Sequence, residues 1–464
     1  MSQPQIIEQL KTIVGNDRVL TDADSLETFG KDWTKIFAPK PLAITFPNST
    51  QQVADIVTLA NELEFAIVPS GGRTGLSAGA VASNGEVVVS MDRMNTLTDF
   101  NLTDRSVHCG AGVITEQLQN FAEEQGLYYP VDFASAGSSQ IGGNISTNAG
   151  GIKVIKYGMT RDWVAGLTVV TGKGDILELN KDLVKNNTGY DMRQLFIGGE
   201  GTLGIVTEAT MRLTRTPKNL NVLVLGVPDM NAIMNVLHAY QGKMDLSAFE
   251  FFSHKAMSKV VARGDVSAPF ETEAEFYALI EFEAISESDM DTAMELFEHC
   301  MEEGWVVDGV ISQSETQAKN LWRLREDISE TIAEWTPYKN DISVVVSKVP
   351  PFLAEIDDVV TKAYPDFEII WFGHIGDGNL HLNILKPDDL AKEEFFEKCG
   401  KVSTWVFEIV EKYQGSVSAE HGVGMTKKPY LQYTRSETEI AYMKAMKAVF
   451  DPKNIMNPGK IIDA

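Results

Sequence analysis

At 464 residues, with 44% hydrophobic and 23% charged side chains, the chain has the composition of a soluble globular protein with material for two or three domains. A formal net charge of −25 argues against nucleic acid or an anionic membrane as partner, but it leaves room for a small anionic substrate held by a local cluster of Arg and Lys. There is no run of about 20 apolar residues, so no membrane span is expected.

In chain order, Ser49 or Thr50 is set to cap a helix over 49–64, with Val53, Ile56, Val57, Ala60 and Leu63 on one face. A strand runs on to Pro69. Residues 86–91 read as another strand, and 115–125 as an amphipathic helix ended by Gly126. Residues 164–179 read as a hairpin turning at 172–175, and 202–213 as a further strand. This is mixed α+β, not regular βαβ repetition. Polar residues and Pro217 interrupt the pattern at 214–218 and predict a boundary there. Beyond it, strands at 222–225, 246–252 and 277–282, a helix from Asp229 and a helix over 287–303 begin a second α+β unit. A helix over 315–335 and a strand at 342–346 follow, and a short last unit starts near Gly415. The division expected is 1–216, 217–414 and 415–464.

Residues 69–205 hold four glycine-framed segments. The first is Pro69-Ser70-Gly71-Gly72-Arg73-Thr74-Gly75-Leu76. Next come Gly137-Ser138 with Ile141-Gly142-Gly143-Asn144, and Thr147-Asn148 with Gly150-Gly151. The last is Glu200-Gly201 with Gly204-Ile205. Glycine lets backbone N–H groups approach an anion, and successive N–H groups form a nest for phosphate oxygens. No G-x-G-x-x-G stands at a strand-to-helix junction and there is no P-loop, so these are not Rossmann or nucleoside-triphosphatase phosphate sites.

The chain has seven histidines, and His374, His381 and His421 fall in two short stretches. Two strand-like runs flank Gly376-Asp377-Gly378-Asn379, which has turn chemistry. With those four residues as the loop, His374 is opposite His381, with Cβ atoms roughly 4.5–5.5 Å apart, and Asn383 shares their face. Both imidazoles then reach one ion, and Glu420, in the glycine-framed Glu420-His421-Gly422-Val423-Gly424, supplies a carboxylate of metal-ligand type. The plain alternative is a hairpin with two incidental histidines.

These segments carry a resemblance. Asn187-Thr188-Gly189-Tyr190-Asp191, Glu200-Gly201-Thr202-Leu203-Gly204-Ile205, Leu246-Ser247-Ala248-Phe249-Glu250-Phe251, Gly376-Asp377-Gly378-Asn379-Leu380-His381 and Gly415 through Gly422 resemble FAD-dependent oxidoreductases of the vanillyl-alcohol oxidase/p-cresol methylhydroxylase type. Within them the chain looks like the D-2-hydroxyacid dehydrogenases, those acting on D-2-hydroxyglutarate most closely. The resemblance implies a two-subdomain α+β FAD-binding domain, an α+β cap domain for substrate, and a C-terminal segment returning to the FAD domain. It implies FAD bound by the glycine segments with Tyr157 and Asn457. Some relatives tether the flavin through a histidine where Arg73 stands here, so non-covalent FAD is expected; Arg73 itself contacts phosphate or only the surface.

Further, the resemblance implies that Arg325, Ser329 one turn later and Lys339 in a following loop hold the carboxylates of a small dicarboxylate 2-hydroxyacid. Zinc or another divalent metal at His374, His381 and Glu420 is expected to polarise the substrate hydroxyl, with His421 as the base and Asn383 bonding the substrate or His421. The expected reaction is oxidation of D-2-hydroxyglutarate to 2-oxoglutarate. Alternatives are a D-lactate or glycolate dehydrogenase of the same build, or a flavin carrier without turnover. Reoxidation is expected from electron-transfer flavoprotein or a quinone-linked carrier, with a homodimer as one possible assembly. Three dispersed cysteines and the absence of a basic, apolar leader point to the cytoplasm.

Overall fold

The computed structural model describes residues 3–464 and divides the chain into two compact units. The first comprises residues up to Gly150, Met159–Thr216 and Glu420–Ala464; the second comprises Gly151–Gly158 and Pro217–Ala419. Both are α+β. No helix among the described residues is long and apolar enough to cross a membrane.

In the first unit, the strands Ala43–Thr45, Val87–Ser90 and Ile67–Ser70 pair in parallel, with Val19–Leu20 added antiparallel at the edge. The helix Thr50–Leu63 packs its buried Val53, Ile56, Val57 and Ala60 against them, and the Ser49 hydroxyl accepts from the Gln52 N–H as its cap. A second, antiparallel sheet runs in the order Leu97–Asn101, Ser106–Gly110, Gly204–Arg212, Val164–Thr171, Ile176–Leu179. The helix Thr115–Glu124 and the short helix Ile141–Thr147 bury Leu118, Ala122, Ile141 and Ile145 in the core with it.

The second unit is built on one antiparallel sheet of seven strands, in the order Asp308–Ile311, Leu220–Val227, Phe276–Glu283, Leu246–Ser253, Glu368–His374, Asn379–Leu385, Tyr338–Ser343. Leu321, Trp322, Leu324, Ile328 and Ile332 pack on one of its faces with Phe252, Leu279, Ile370 and Phe372. Two elements differ from the sequence reading. The helix expected over 315–335 stops at Glu326; a short helix Ile328–Thr331 and a 3-10 turn Ile332–Trp335 follow. The strand expected at 342–346 is Tyr338–Ser343, so Lys339 lies on a strand paired with Asn383, not in a loop.

Residues 151–158 interrupt the first unit and belong to the second. The cause is electrostatic. The Lys153 ammonium pairs with buried Glu281, which also accepts from Ser247 Oγ at 2.6 Å and Trp322 Nε1 at 2.9 Å. Lys156 pairs with Asp245 at 2.7 Å and Glu283 at 3.3 Å.

The C-terminal segment is anchored in the first unit by a buried lysine. Lys447 Nζ donates to the carbonyls of Thr202 and Met456, both at 2.9 Å, and to Asp451 Oδ2 at 2.8 Å. Removing the cation strands the Asp451 carboxylate in the interior. Lys447→Met should therefore cost roughly 3–5 kcal/mol, read as an earlier thermal transition in calorimetry.

Candidate active site

The hairpin Glu368–His374/Asn379–Leu385 sets the geometry. Its turn is residues 375–378, one residue earlier than the sequence reading placed it, so His374 is opposite Asn379 and Phe372 is opposite His381. The direct His374–His381 pairing expected from sequence is therefore corrected to a diagonal one. Asn379 causes the shift: its amide donates to Asp341 Oδ1 at 2.8 Å and to the Ile342 carbonyl at 3.2 Å, which draws it into the sheet. An offset of two residues preserves the side of the sheet, and the two imidazoles still meet, with ring centroids 5.3 Å apart. Diagonal neighbours remain within reach of long side chains.

Strand alternation puts Lys339, Asp341, Asn383, His381, Phe372 and His374 on one side of this sheet. Pairing of Phe252 with Phe372 continues it to Glu250 on the neighbouring strand. Buried Glu250 accepts from His374 Nδ1 at 2.8 Å and stands 2.9 Å from the Arg325 guanidinium, an ion pair whose angle falls short of a hydrogen bond. Arg325 lies over the Phe372 ring at 4.7 Å, and its buried Nε has no hydrogen-bond partner in the protein. Ser329 is exposed, whereas Arg325 is buried; it accepts from Lys339 Nζ at 2.9 Å. Protein around the Lys339 stem holds its ammonium pKa below the usual lysine value by desolvation, although the residue keeps solvent contact. Asn383 is buried and donates to the His381 carbonyl at 3.2 Å.

Asp341 also takes the Ala419 N–H, at 3.1 Å to Oδ2, and so fixes the residue peptide-bonded to Glu420. Ligand atoms of His374, His381 and Glu420 lie within 4.8 Å of one another, as do those of Asp341, Glu420 and His421. The first set, two imidazoles and one carboxylate, is the donor chemistry a catalytic divalent ion takes. His421 Nε2 is 3.6 Å from Glu420 Oε1. The turn needed to bring adjacent residues together is made by Gly422 and Gly424, at φ +82° and +48°. Any Cβ at Gly424 would stand 2.0 Å from the Ser77 carbonyl oxygen.

The glycine segments meet in the first unit. Gly72 passes so close to the second segment that a Cβ on it would lie 2.1 Å from the Ser138 carbonyl oxygen. Pro69 packs on Gly201, and the N–H of Glu200 donates to the Ser146 carbonyl at 2.8 Å. Arg73 folds back onto the Gly71 carbonyl at 2.8 Å and pairs with Asp92 at 3.3 Å, so it staples its own loop. Asp92 also takes Gln140 Nε2 at 2.7 Å, tying the first two segments together. Ile141, Gly142, Gly143, Asn144 and Thr147 lie in a helix rather than a loop; Asn144 donates to Thr115 Oγ1 at 2.6 Å, and Thr147 to the Gly143 carbonyl at 3.1 Å. Asn148 adopts φ +51°, and its side-chain oxygen takes the Arg161 N–H at 3.0 Å. Gly204 and Ile205 belong to a strand, with Ile205 in the core. Gly75, Leu76, Gly137 and Ser138 are exposed, Thr74 is half-buried and Gly150 is buried. Gly151 and Tyr157 belong to the second unit. The Asn457 amide donates to the carbonyls of Gly79 and Glu200 at 2.9 and 2.8 Å.

Residues 41–180 match the FAD binding domain family, and residues 216–461 match the family of FAD linked oxidases, C-terminal domain. A D-2-hydroxyglutarate dehydrogenase of Stutzerimonas stutzeri is 69% identical over 464 residues, covering 100% of both chains. The chain belongs to the FAD-linked oxidases, in the branch of the D-2-hydroxyglutarate dehydrogenases. A second such relative, from Xanthomonas citri pv. viticola, is 52% identical over 463 residues, 100% of this chain and 98% of its own. Among solved structures, p-cresol methylhydroxylase superposes with a TM-score of 0.77 at 16% identity, over 99% of this chain and 97% of that one, which shows a shared fold.

As an FAD-linked oxidase the chain binds FAD, and its own atoms fit that group. Ser70 Oγ, Gln140 Oε1 and Asn457 Oδ1 are buried in the glycine-framed region without a protein hydrogen-bond partner, which a polar ligand can supply. Sequence reasoning missed Glu250, Asp341, Asn379, Asp92 and Gln140 as site-building residues. Glu250 had a signal: a lone charge in a strand of eight residues that are all buried.

Glu200 accepts the N–H groups of Val423 and Gly424 at 2.6 and 2.8 Å, yet its burial outweighs them and pushes its pKa up to about 7. The folded chain then keeps a proton on Glu200 that the unfolded chain releases above its ordinary pKa of 4.5. Stability should fall as pH rises from about 4.5 to about 7, by roughly 3 kcal/mol from this group. Melting curves of Glu200→Gln should lack that part of the slope. Gly424→Ala should lower the melting temperature at every pH, because the Ser77 backbone cannot yield.

Proposed function

We propose that the protein oxidises D-2-hydroxyglutarate to 2-oxoglutarate. The reaction removes a hydride from the α-carbon and a proton from the hydroxyl. FAD, when bound, supplies the hydride acceptor. A divalent ion, zinc foremost, held by His374, His381 and Glu420 supplies a Lewis acid for the hydroxyl. His421 takes the hydroxyl proton; an imidazole titrates near neutrality and is suited to that exchange.

Arg325 and Lys339 receive the two carboxylates. The unpartnered Nε of Arg325 is a buried donor awaiting an acceptor, and an anion meets that need better than any neutral group. Lys339, which donates to Ser329, serves the distal carboxylate; desolvation lowers its pKa, and an anion beside it would offset that. Asn383 steadies the strand beneath His381. One observation carries this reading: two imidazoles from one hairpin and a carboxylate from a distant stretch of sequence bring ligand atoms within 4.8 Å of one another, with His421 next in the chain. The 69% identity to a D-2-hydroxyglutarate dehydrogenase supports the choice of substrate.

FAD is held without a covalent bond, since Arg73 stands at the tethering position and its guanidinium is engaged by Gly71 and Asp92. Reoxidation falls to electron-transfer flavoprotein or a quinone-linked carrier, as in the family it resembles. A cytoplasmic setting suits three buried, unoxidised cysteines, Cys109, Cys300 and Cys399.

The test is an anaerobic titration of the flavin spectrum with D-2-hydroxyglutarate, L-2-hydroxyglutarate and D-lactate in parallel. Bleaching by D-2-hydroxyglutarate alone, abolished by a chelator and restored by zinc, is expected; bleaching by D-lactate in preference would overturn the substrate. His421→Asn should slow flavin reduction by about 10²–10⁴-fold, while Lys339→Met should raise KM more than it lowers kcat.

A further inference from the structure

The buried ion pair Glu250–Arg325 has no evident structural purpose. It lies in the apolar interior of the seven-stranded sheet's core face, where Glu250 is 1% and Arg325 6% exposed. Such a pair costs desolvation that its attraction seldom recovers, and apolar replacements of similar volume are often as stable or more so. What Glu250 does besides is hold His374. Its Oε2 stands 2.9 Å from the guanidinium, a group that only donates, so the carboxylate is placed as an acceptor. Its Oε1 is 2.8 Å from His374 Nδ1. The proton of a neutral His374 is therefore on Nδ1, and the ring's lone pair is on Nε2.

We infer that Glu250 is a positioning residue: by accepting from Nδ1 it selects the His374 tautomer and ring orientation that make Nε2 the metal donor, and Arg325 in turn orients Glu250. The relay runs Arg325–Glu250–His374, so Arg325 contributes to the metal site as well as to substrate binding.

This inference rests on the metal reading of His374, His381 and Glu420. The experiment is direct metal binding to metal-stripped, flavin-loaded protein, with zinc affinity measured by chelator competition and the cobalt absorption spectrum recorded beside it. Glu250→Gln should weaken zinc binding by about 10–100-fold and alter the cobalt bands. Its amide presents Nδ1 with either an oxygen or an N–H, and no longer selects the tautomer. Because Glu250→Gln leaves Arg325 with a buried unpaired charge, the neutral pair Glu250→Gln/Arg325→Met is measured too. It should be at least as heat-stable as the parent and still bind zinc weakly. Glu250→Asp, which keeps the charge but shortens the reach, should fall between them. Parental zinc affinity in a folded Glu250→Gln or in the neutral pair overturns the proposal and leaves the metal site standing. If the parent itself binds no divalent ion, the metal reading fails and this proposal with it.

Discussion

The candidate site depends on the pairing of Glu368–His374 with Asn379–Leu385. A β-strand has a side-chain period of two, so the register of this hairpin decides whether His374 and His381 share a side of the sheet or are separated by it. A shift by one residue would send one imidazole to the opposite face. The observed register keeps both on the same side, and Asn379 secures it by bonding Asp341 and the Ile342 carbonyl on the next strand. Asp341 repeats the service on the Ala419 N–H, which delivers Glu420. One buried aspartate thus coordinates the end of the hairpin with the arrival of a distant stretch of chain.

That side of the sheet carries an unusual load. Ile370, Phe372, Phe252 and Leu279 make it the floor of the second unit's core, yet Glu250, Glu281, Asp341 and Arg325 are buried on or against the same sheet. Each charge has an answer. Glu281 takes Lys153, Ser247 and Trp322; Glu250 takes His374 and the Arg325 guanidinium; Asp341 takes Asn379 and Ala419. Charges answered this way are expensive to assemble and costly to disturb singly, which fits a site meant to keep one geometry. The donor left over, Arg325 Nε, points to where a ligand's acceptor belongs.

Much of this was legible in advance, and the misses have physical causes. The helix Thr50–Leu63 with its Ser49 cap, the hairpin 164–179 and the helix Glu287–Glu302 follow from periodicity and caps, which are local. The docking of residues 151–158 on the second unit escaped because it depends on Glu281, Glu283 and Asp245, about a hundred residues away. Arg73, expected at phosphate or surface, turned out to staple its own loop, a choice made by Asp92 on a neighbouring strand end.

The sequence by itself determined the kinds of chemistry available: glycine segments able to approach a flavin, two histidines flanking a turn, a Glu-His pair in a glycine frame, and enough apolar periodicity for an α+β fold. These are properties of residue type and short spacing, and they survive without knowledge of the fold. Only the tertiary structure decided the hairpin's register, the burial of Glu250 and Asp341 behind the imidazoles, and the orphaned nitrogen of Arg325. Each of these depends on which strands lie side by side, and neighbours in a sheet are set by long-range packing rather than by any pattern within one strand.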